Sequence, residues 1–170
     1  MSNNVRFIID TNIFLDAYKK YYGFDIAPKF WTCLLGEIEK GNIIIIDKVI
    51  KELEKGDDDL SKWVCDNCNN YEYNSLSHIE SYSLILNHVN DCGYYKDNAL
   101  RIWADEEVAD PWIIAVAKDL NCVIITNETK QNRNQNEKCK NAKIPDIAND
   151  FNIKCINIYQ MLRELNITFV

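Results

Sequence analysis

Glycine and proline are scarce, five and three in 170 residues, and no stretch is rich enough in either to make a linker. The chain is therefore expected to form one domain, residues 1–170, the usual size for a single core. Long apolar runs are missing as well. The longest run of branched aliphatic residues is Ile43 to Ile46, far short of the roughly 20 apolar residues a membrane-spanning helix needs. Met1-Ser2-Asn3-Asn4-Val5-Arg6 has neither the basic start nor the apolar segment of a secretory signal. The expectation is a soluble, cytoplasmic protein with no membrane partner.

Positive charge is in short supply too. Lys and Arg number 19 against 26 Asp and Glu, for a net charge of −7. This argues against nonspecific nucleic-acid binding, which rests on neutralising phosphates with Lys and Arg. It is compatible with a site in which acids hold cations and the cations hold a phosphate. One segment runs against the trend: residues 126–143 carry five basic residues and two acidic ones. Seven cysteines are an odd and scattered set, read as reduced thiols that pack as small hydrophobes. Cys65 and Cys68 form a CxxC, but its distance from His78 and His88 does not match common zinc-ligand spacings.

What is present is a regular alternation. Val5 to Ile9, Ile43 to Ile46, Cys122 to Ile125 and Lys154 to Ile156 are short apolar runs expected as buried strands. Between them lie helical patterns: one opening at Asp10, one from Pro28 to Lys40 stopped by Gly41, one capped by Asp47, one opening at Asp110-Pro111 and closed by Asn121. Ile144 and Ile158 begin two more. Residues 57–104 read as mainly helical, and 126–143 as a mobile loop too polar to pack. The fold class predicted is α/β, a three-layer α/β/α arrangement with a central parallel sheet of about four to five strands.

Ligands of open α/β sheets bind outside the carboxyl ends of the strands, so the side chains placed there matter most. Asp10 follows the first strand, Glu52 lies one turn into the helix after the second, and Glu128 comes just after the third. Asp110 opens the helix that leads into the third strand. Each acid alone has an ordinary reading: Asp10 and Asp110 as N-caps, Glu52 as a solvated helix residue, Glu128 as a loop acid.

The wording around them resembles one family. Asp10-Thr11-Asn12 after a strand, Glu52-Leu53-Glu54-Lys55-Gly56, the helix Ala109-Asp110-Pro111-Trp112-Ile113-Ile114-Ala115-Val116-Ala117 and the strand end Val123-Ile124-Ile125-Thr126-Asn127-Glu128 are similar, in order, to four motifs of the PIN-domain nucleases, in particular the small VapC-type toxin ribonucleases. The likeness is tight over about 5–56 and 105–128. The chain departs from that pattern in a longer 57–104 segment, in Glu128 where Asp or Asn is usual, and in the polar insertion after it.

The resemblance implies a metal-dependent endoribonuclease that hydrolyses RNA phosphodiester bonds, leaving a 5′-phosphate and a 3′-hydroxyl. Asp10, Glu52, Asp110 and Glu128 would be the catalytic and metal-binding set, with Asp10 and Asp110 as direct ligands of Mg²⁺ or Mn²⁺. Carboxylates suit these hard cations, and two of them about 4 Å apart repel by roughly 4 kcal/mol at an effective dielectric of 20 unless a cation intervenes. Asn12 and Thr126 would hold the acids in place, and Lys130, Arg133, Lys138 and Lys140 would meet RNA phosphates. Partners left open by the resemblance are an antitoxin protein and a second copy of the chain. Two alternatives stand beside it. A haloacid-dehalogenase-type phosphatase also places Asp after its first strand, in a pattern D-x-D, but Asn12 stands where its general acid would be. A catalytically degenerate PIN-fold module would bind RNA or protein without cutting, and such a module is expected to lack at least one of the four acids.

Overall fold

The segments Phe7–Ile9, Ile43–Ile46 and Val123–Ile125 are apolar along their whole length, which suits a sheet covered on both faces. In the computed structural model, which describes residues 5–169, β1 (Phe7–Ile9) and β2 (Ile43–Ile46) are buried at every position. β4 (Val123–Ile125) is buried at its last two. Each fully buried isoleucine contributes roughly 1.5–3 kcal/mol. The ends of the 1–170 domain, and the first four positions of the stretch read as lacking a secretory signal, lie outside the described residues.

Among the described residues, the strands of the sheet all pair in parallel. Phe7 and Ile8 lie opposite Ile43 and Ile44 on one side, and Phe7, Ile8 and Ile9 opposite Val123, Ile124 and Ile125 on the other. β5 (Cys155–Ile156) extends the sheet beyond β4. A fifth strand, β3 (Glu72–Tyr73), pairs with Ile45 and Ile46. It falls inside the stretch expected to be mainly helical, and two residues are too few to show a strand period. The order is β3-β2-β1-β4-β5. From β1 the chain first builds outward through β2 and β3, then returns to β1's other side with β4. The strand order therefore reverses between β1 and β4, where open α/β sheets form their ligand crevice.

Helices cover the sheet in an α/β/α arrangement. Residues 11–21 form α1 (Thr11–Asp16) and a π-helical turn, and α2 (Pro28–Glu39) follows. Gly41, at φ 74°, turns the chain from α2 into β2. α3 (Asp47–Glu54), α4 (Asp59–Asn67), α5 (Ile79–Asp91) and α6 (Asp97–Trp103) come next. α7 (Ala109–Leu120) is the central helix: Ala109 and every residue from Pro111 to Ala117 are buried, and it packs against α3, α5, α8 (Ile144–Asp150), β1 and β4. Asn121, left-handed at φ 52°, ends it as expected. α9 (Ile158–Glu164) is capped by Asn157 and Gln160. Among the described residues, no helix is long and apolar enough to cross a membrane.

Two expected caps differ. Asp47 is the first residue inside α3, and its buried carboxylate accepts the Ser75 N–H at 3.0 Å. It ties α3 to the turn after β3. Asp110 is the second residue of α7, whose N-cap is Val108.

The polar segment 126–143 is pinned where a mobile loop was expected. The Cys139 N–H donates to Tyr94 O, and the Lys96 N–H to Cys139 O. The Gln131 N–H meets the Asp146 carboxylate at 3.2 Å, and Arg133 grips Asp150 with two bonds of 2.6 and 2.7 Å. Several of its side chains bond to α8 or to one another, Lys130 to Asn149 and Lys143 to Glu128 among them, so hydrophilicity did not leave it free.

Candidate metal and phosphodiester site

The crevice between β1 and β4 gathers the four acids. Asp10 leaves β1 and is 1% exposed. Its Oδ2 accepts the Thr126 hydroxyl from the end of β4 at 2.8 Å, and its Oδ1 accepts the Asn12 N–H at 3.4 Å. Thr126 Oγ1 in turn accepts the Glu128 N–H at 3.1 Å. One hydroxyl thus ties the first acid to the last, across the point where strand order reverses. Asn12 contributes through its backbone, while its side chain is exposed.

Glu52 reaches back from α3. Its Oε2 accepts the Thr11 hydroxyl at 2.5 Å and its Oε1 the Ala109 N–H at 2.9 Å. This carboxylate therefore holds the N-terminus of α7, with Asp110 as the next residue. Glu128 is similarly occupied: the Lys143 ammonium lies 2.5 Å from Oε1, and the Ile144 N–H donates to Oε2 at 3.0 Å. Asp110 differs from the other three, because its carboxylate accepts no hydrogen bond from the described residues. It faces a cleft of about 240 Å³ shared with Glu128, Trp103 and Lys143.

The charge distribution follows from these partners. Burial, and then the carboxylates of Asp10, Glu128 and Glu52, push the Asp110 carboxyl up to about 8, against an opposing pull from Lys143. Burial likewise pushes Asp10 up to about 6, with the Thr126 hydrogen bond drawing it down and Glu128 and Glu52 repelling it upward. The four acids divide into two kinds. Asp10, Glu52 and Glu128 have both oxygens on protein donors, whereas Asp110 has none among the described residues; Asp10 and Asp110 are the two whose ionisation the surroundings oppose. Among the described residues, no three carboxylate, thiol or imidazole side chains form a ready-built metal cluster.

The family model described as a domain of unknown function (DUF4411) matches residues 7–169. The chain belongs to that family. No curated protein and no solved structure matches it.

Residues that the sequence pattern did not single out thus complete the site of this DUF4411 chain. Thr11 and the Ala109 N–H position Glu52, and Lys143 supplies the cation next to Glu128. Lys143 lies at the end of the basic segment, and only its position just before α8 hinted at it. The other basic residues separate into two groups. Arg133 is an anchor for α8 and not a free phosphate contact: it pairs with Asp150, lies 3.8 Å from Asp146 and stacks over Tyr94. Lys138 and Lys140 are exposed and unpaired among the described residues, and Lys130 donates to the neutral Asn149 Oδ1 at 2.6 Å. The histidines near the CxxC are held elsewhere. His78 meets Asp119 at 2.7 Å and Tyr73 at 3.0 Å, and His88 meets Asp150 at 2.8 Å. Burial pushes the Cys68 thiol up to about 12, as for an inert core thiol.

Proposed function

We propose that this protein is a metal-dependent endoribonuclease of the PIN-domain type, hydrolysing RNA phosphodiester bonds at the Asp10–Asp110 crevice. The observation that carries the reading is Asp110: a carboxylate without a hydrogen-bond donor, facing three other carboxylates at the topological switch of a parallel sheet. Two crowded aspartates, one of them without a donor, suit a hard divalent cation, and oxygen is the donor set that Mg²⁺ and Mn²⁺ select. Asp10 and Asp110 would hold the ion directly. Bound there, it supplies charge for the phosphate and acidifies an attacking water.

The protein's own groups do the positioning. Thr126 fixes Asp10 and, through the Glu128 N–H, sets the path of the chain after β4. Glu52 locks the first turn of α7, so that Asp110 is presented from a rigid helix. Lys143, beside Glu128 in the cleft, places a positive charge where a bound phosphate would lie. The product would carry a 5′-phosphate and a 3′-hydroxyl. The toxin half of a toxin–antitoxin pair is one setting for such an activity, with an antitoxin protein and a second copy of the chain as its partners, in the cytoplasm.

One observation favours a different reading, a degenerate module that binds without cutting: the Lys143 ammonium already gives Glu128 a cation of its own. The test separates the two. Purified protein is incubated with structured and unstructured RNA in Mn²⁺ or Mg²⁺, with and without chelator, beside Asp110→Asn. Metal-dependent cleavage lost in the variant supports the nuclease. RNA binding with no cleavage in either metal selects the module, and cleavage undiminished by chelator removes the metal mechanism.

A further inference from the structure

A groove of about 530 Å³ runs on from the acid crevice, and Thr126 and Glu128 belong to both. Its far wall carries two tyrosines. Tyr21, at the end of the π-helical turn, is 47% exposed, and Tyr159, on α9, is 43% exposed. Their rings stand 6.2 Å apart at 64°. Both are held from behind. Tyr22, the neighbour of Tyr21, stacks on buried Phe30 at 4.3 Å, and Ile158, the neighbour of Tyr159, is buried in the core. Their backbones are anchored, their rings meet edge to face, and both rings are open to solvent.

The polar groups beside them have a direction. In the capping box of α9, Asn157 Oδ1 accepts the Gln160 N–H at 2.9 Å, and Gln160 Oε1 accepts the Asn157 N–H at 3.0 Å. Both carboxamide oxygens are used in capping, which leaves their NH₂ groups as donors lining the groove. Lys130 brings a positive charge to the same groove. Aromatic faces, amide donors and one cation together match a flat ring with carbonyl acceptors attached to a phosphate chain.

We propose that this groove takes one unpaired nucleobase of a single-stranded nucleic acid, its face on one ring of the Tyr21–Tyr159 pair and its edge toward the other, while the adjoining phosphate lies at the acid crevice. The proposal rests on the phosphodiester reading of that crevice and names its substrate as single-stranded. A paired base already has both faces covered within a duplex and cannot enter. Stacking on an aromatic side chain tolerates any base, so the groove selects for strandedness more than for sequence.

The test reads binding separately from cleavage. Anisotropy of a labelled single-stranded RNA and of its duplex is measured in Ca²⁺ for the parent, for Tyr21→Ala/Tyr159→Ala and for Tyr21→Phe/Tyr159→Phe. Strands with one abasic residue walked along the sequence are measured with the parent. The expected results are single strand preferred to duplex, about tenfold or greater weakening in the Ala pair, near-parent affinity in the Phe pair, and one abasic position that weakens binding. The Phe pair also controls for folding. An Ala pair that binds single strands as tightly as the parent, or a parent that binds none, overturns the groove. Metal-dependent cleavage that persists unchanged in the Ala pair overturns it too and leaves the nuclease standing. Tyrosine-dependent binding without cleavage supports the groove and rejects the nuclease.

Discussion

Replacing Asp10 by Asn removes a buried charge that the metal-free protein bears at a cost. Asp10 is 1% exposed, and its carboxyl lies at about 6 where 3.8 is ordinary. At about 1.4 kcal/mol per unit, ionising it in the folded state is about 3 kcal/mol harder than in the unfolded chain. Because the folded value is the higher one, the favourable contribution is whole below about pH 4, shrinks as pH rises toward 6 and is gone above it. Asn does not titrate. Without metal, the parent should therefore lose about 3 kcal/mol relative to Asp10→Asn between pH 4 and pH 7. The variant's amide, with an NH₂ in place of one carboxyl oxygen, loses about 1 kcal/mol of hydrogen bonding from Thr126 or the Asn12 N–H. The net advantage at pH 7 is then about 2 kcal/mol, or roughly 4–8 °C for a chain of this length. Thermal unfolding at pH 4.5 and 7.5 in chelator measures it. Mn²⁺ at a hundred times its dissociation constant should then raise the parent by about 2.7 kcal/mol and the variant by much less. A gap between the two midpoints that is the same at both pH values would refute the reasoning, as would an equal rise with Mn²⁺.

Lys143→Met leaves the half-buried Glu128 carboxylate without its cation and should cost about 1–3 kcal/mol without metal but less in Mn²⁺. An equal loss in both, by chemical denaturation, would make Lys143 purely structural. Arg133→Ala breaks a two-bond grip on Asp150 and should cost about 2–3 kcal/mol while leaving the salt slope of RNA binding unchanged. Lys138→Ala/Lys140→Ala should do the reverse, flattening the slope with the melting midpoint unmoved. Thr126→Val removes the donor to Asp10 and the acceptor for the Glu128 N–H, so Mn²⁺ affinity by calorimetry should fall by about tenfold or more. Unchanged affinity would show that Thr126 does not support the site.

Where an element announces itself by composition, the sequence reads directly. Ile43 to Ile46 can only be a strand buried on both faces, and Asn121 supplies the left-handed residue that α7 needs to stop. Acids that follow such strands inherit their position from the sheet, which is why the places of Asp10 and Glu128 at the strand ends are legible in the sequence. Interactions between distant segments were not. Nothing near Asp47 in the chain reveals that its partner is the Ser75 N–H, and nothing near Glu52 reveals the Ala109 N–H. β3 has two residues and takes its conformation from the edge of β2. The basic segment misled by composition: Arg133 and Lys143 are polar in isolation but engaged in ion pairs whose acids lie 17 and 15 residues away.

The central claim is that Asp10 and Asp110 share a divalent cation. Anomalous diffraction from crystals soaked in Mn²⁺ tests it most directly. The account predicts an anomalous peak in the β1–β4 crevice, about 2 Å from carboxylate oxygens of both Asp10 and Asp110, and absent from Asp110→Asn. Crystals with no peak there, or with Mn²⁺ bound only at other surface acids, would contradict it.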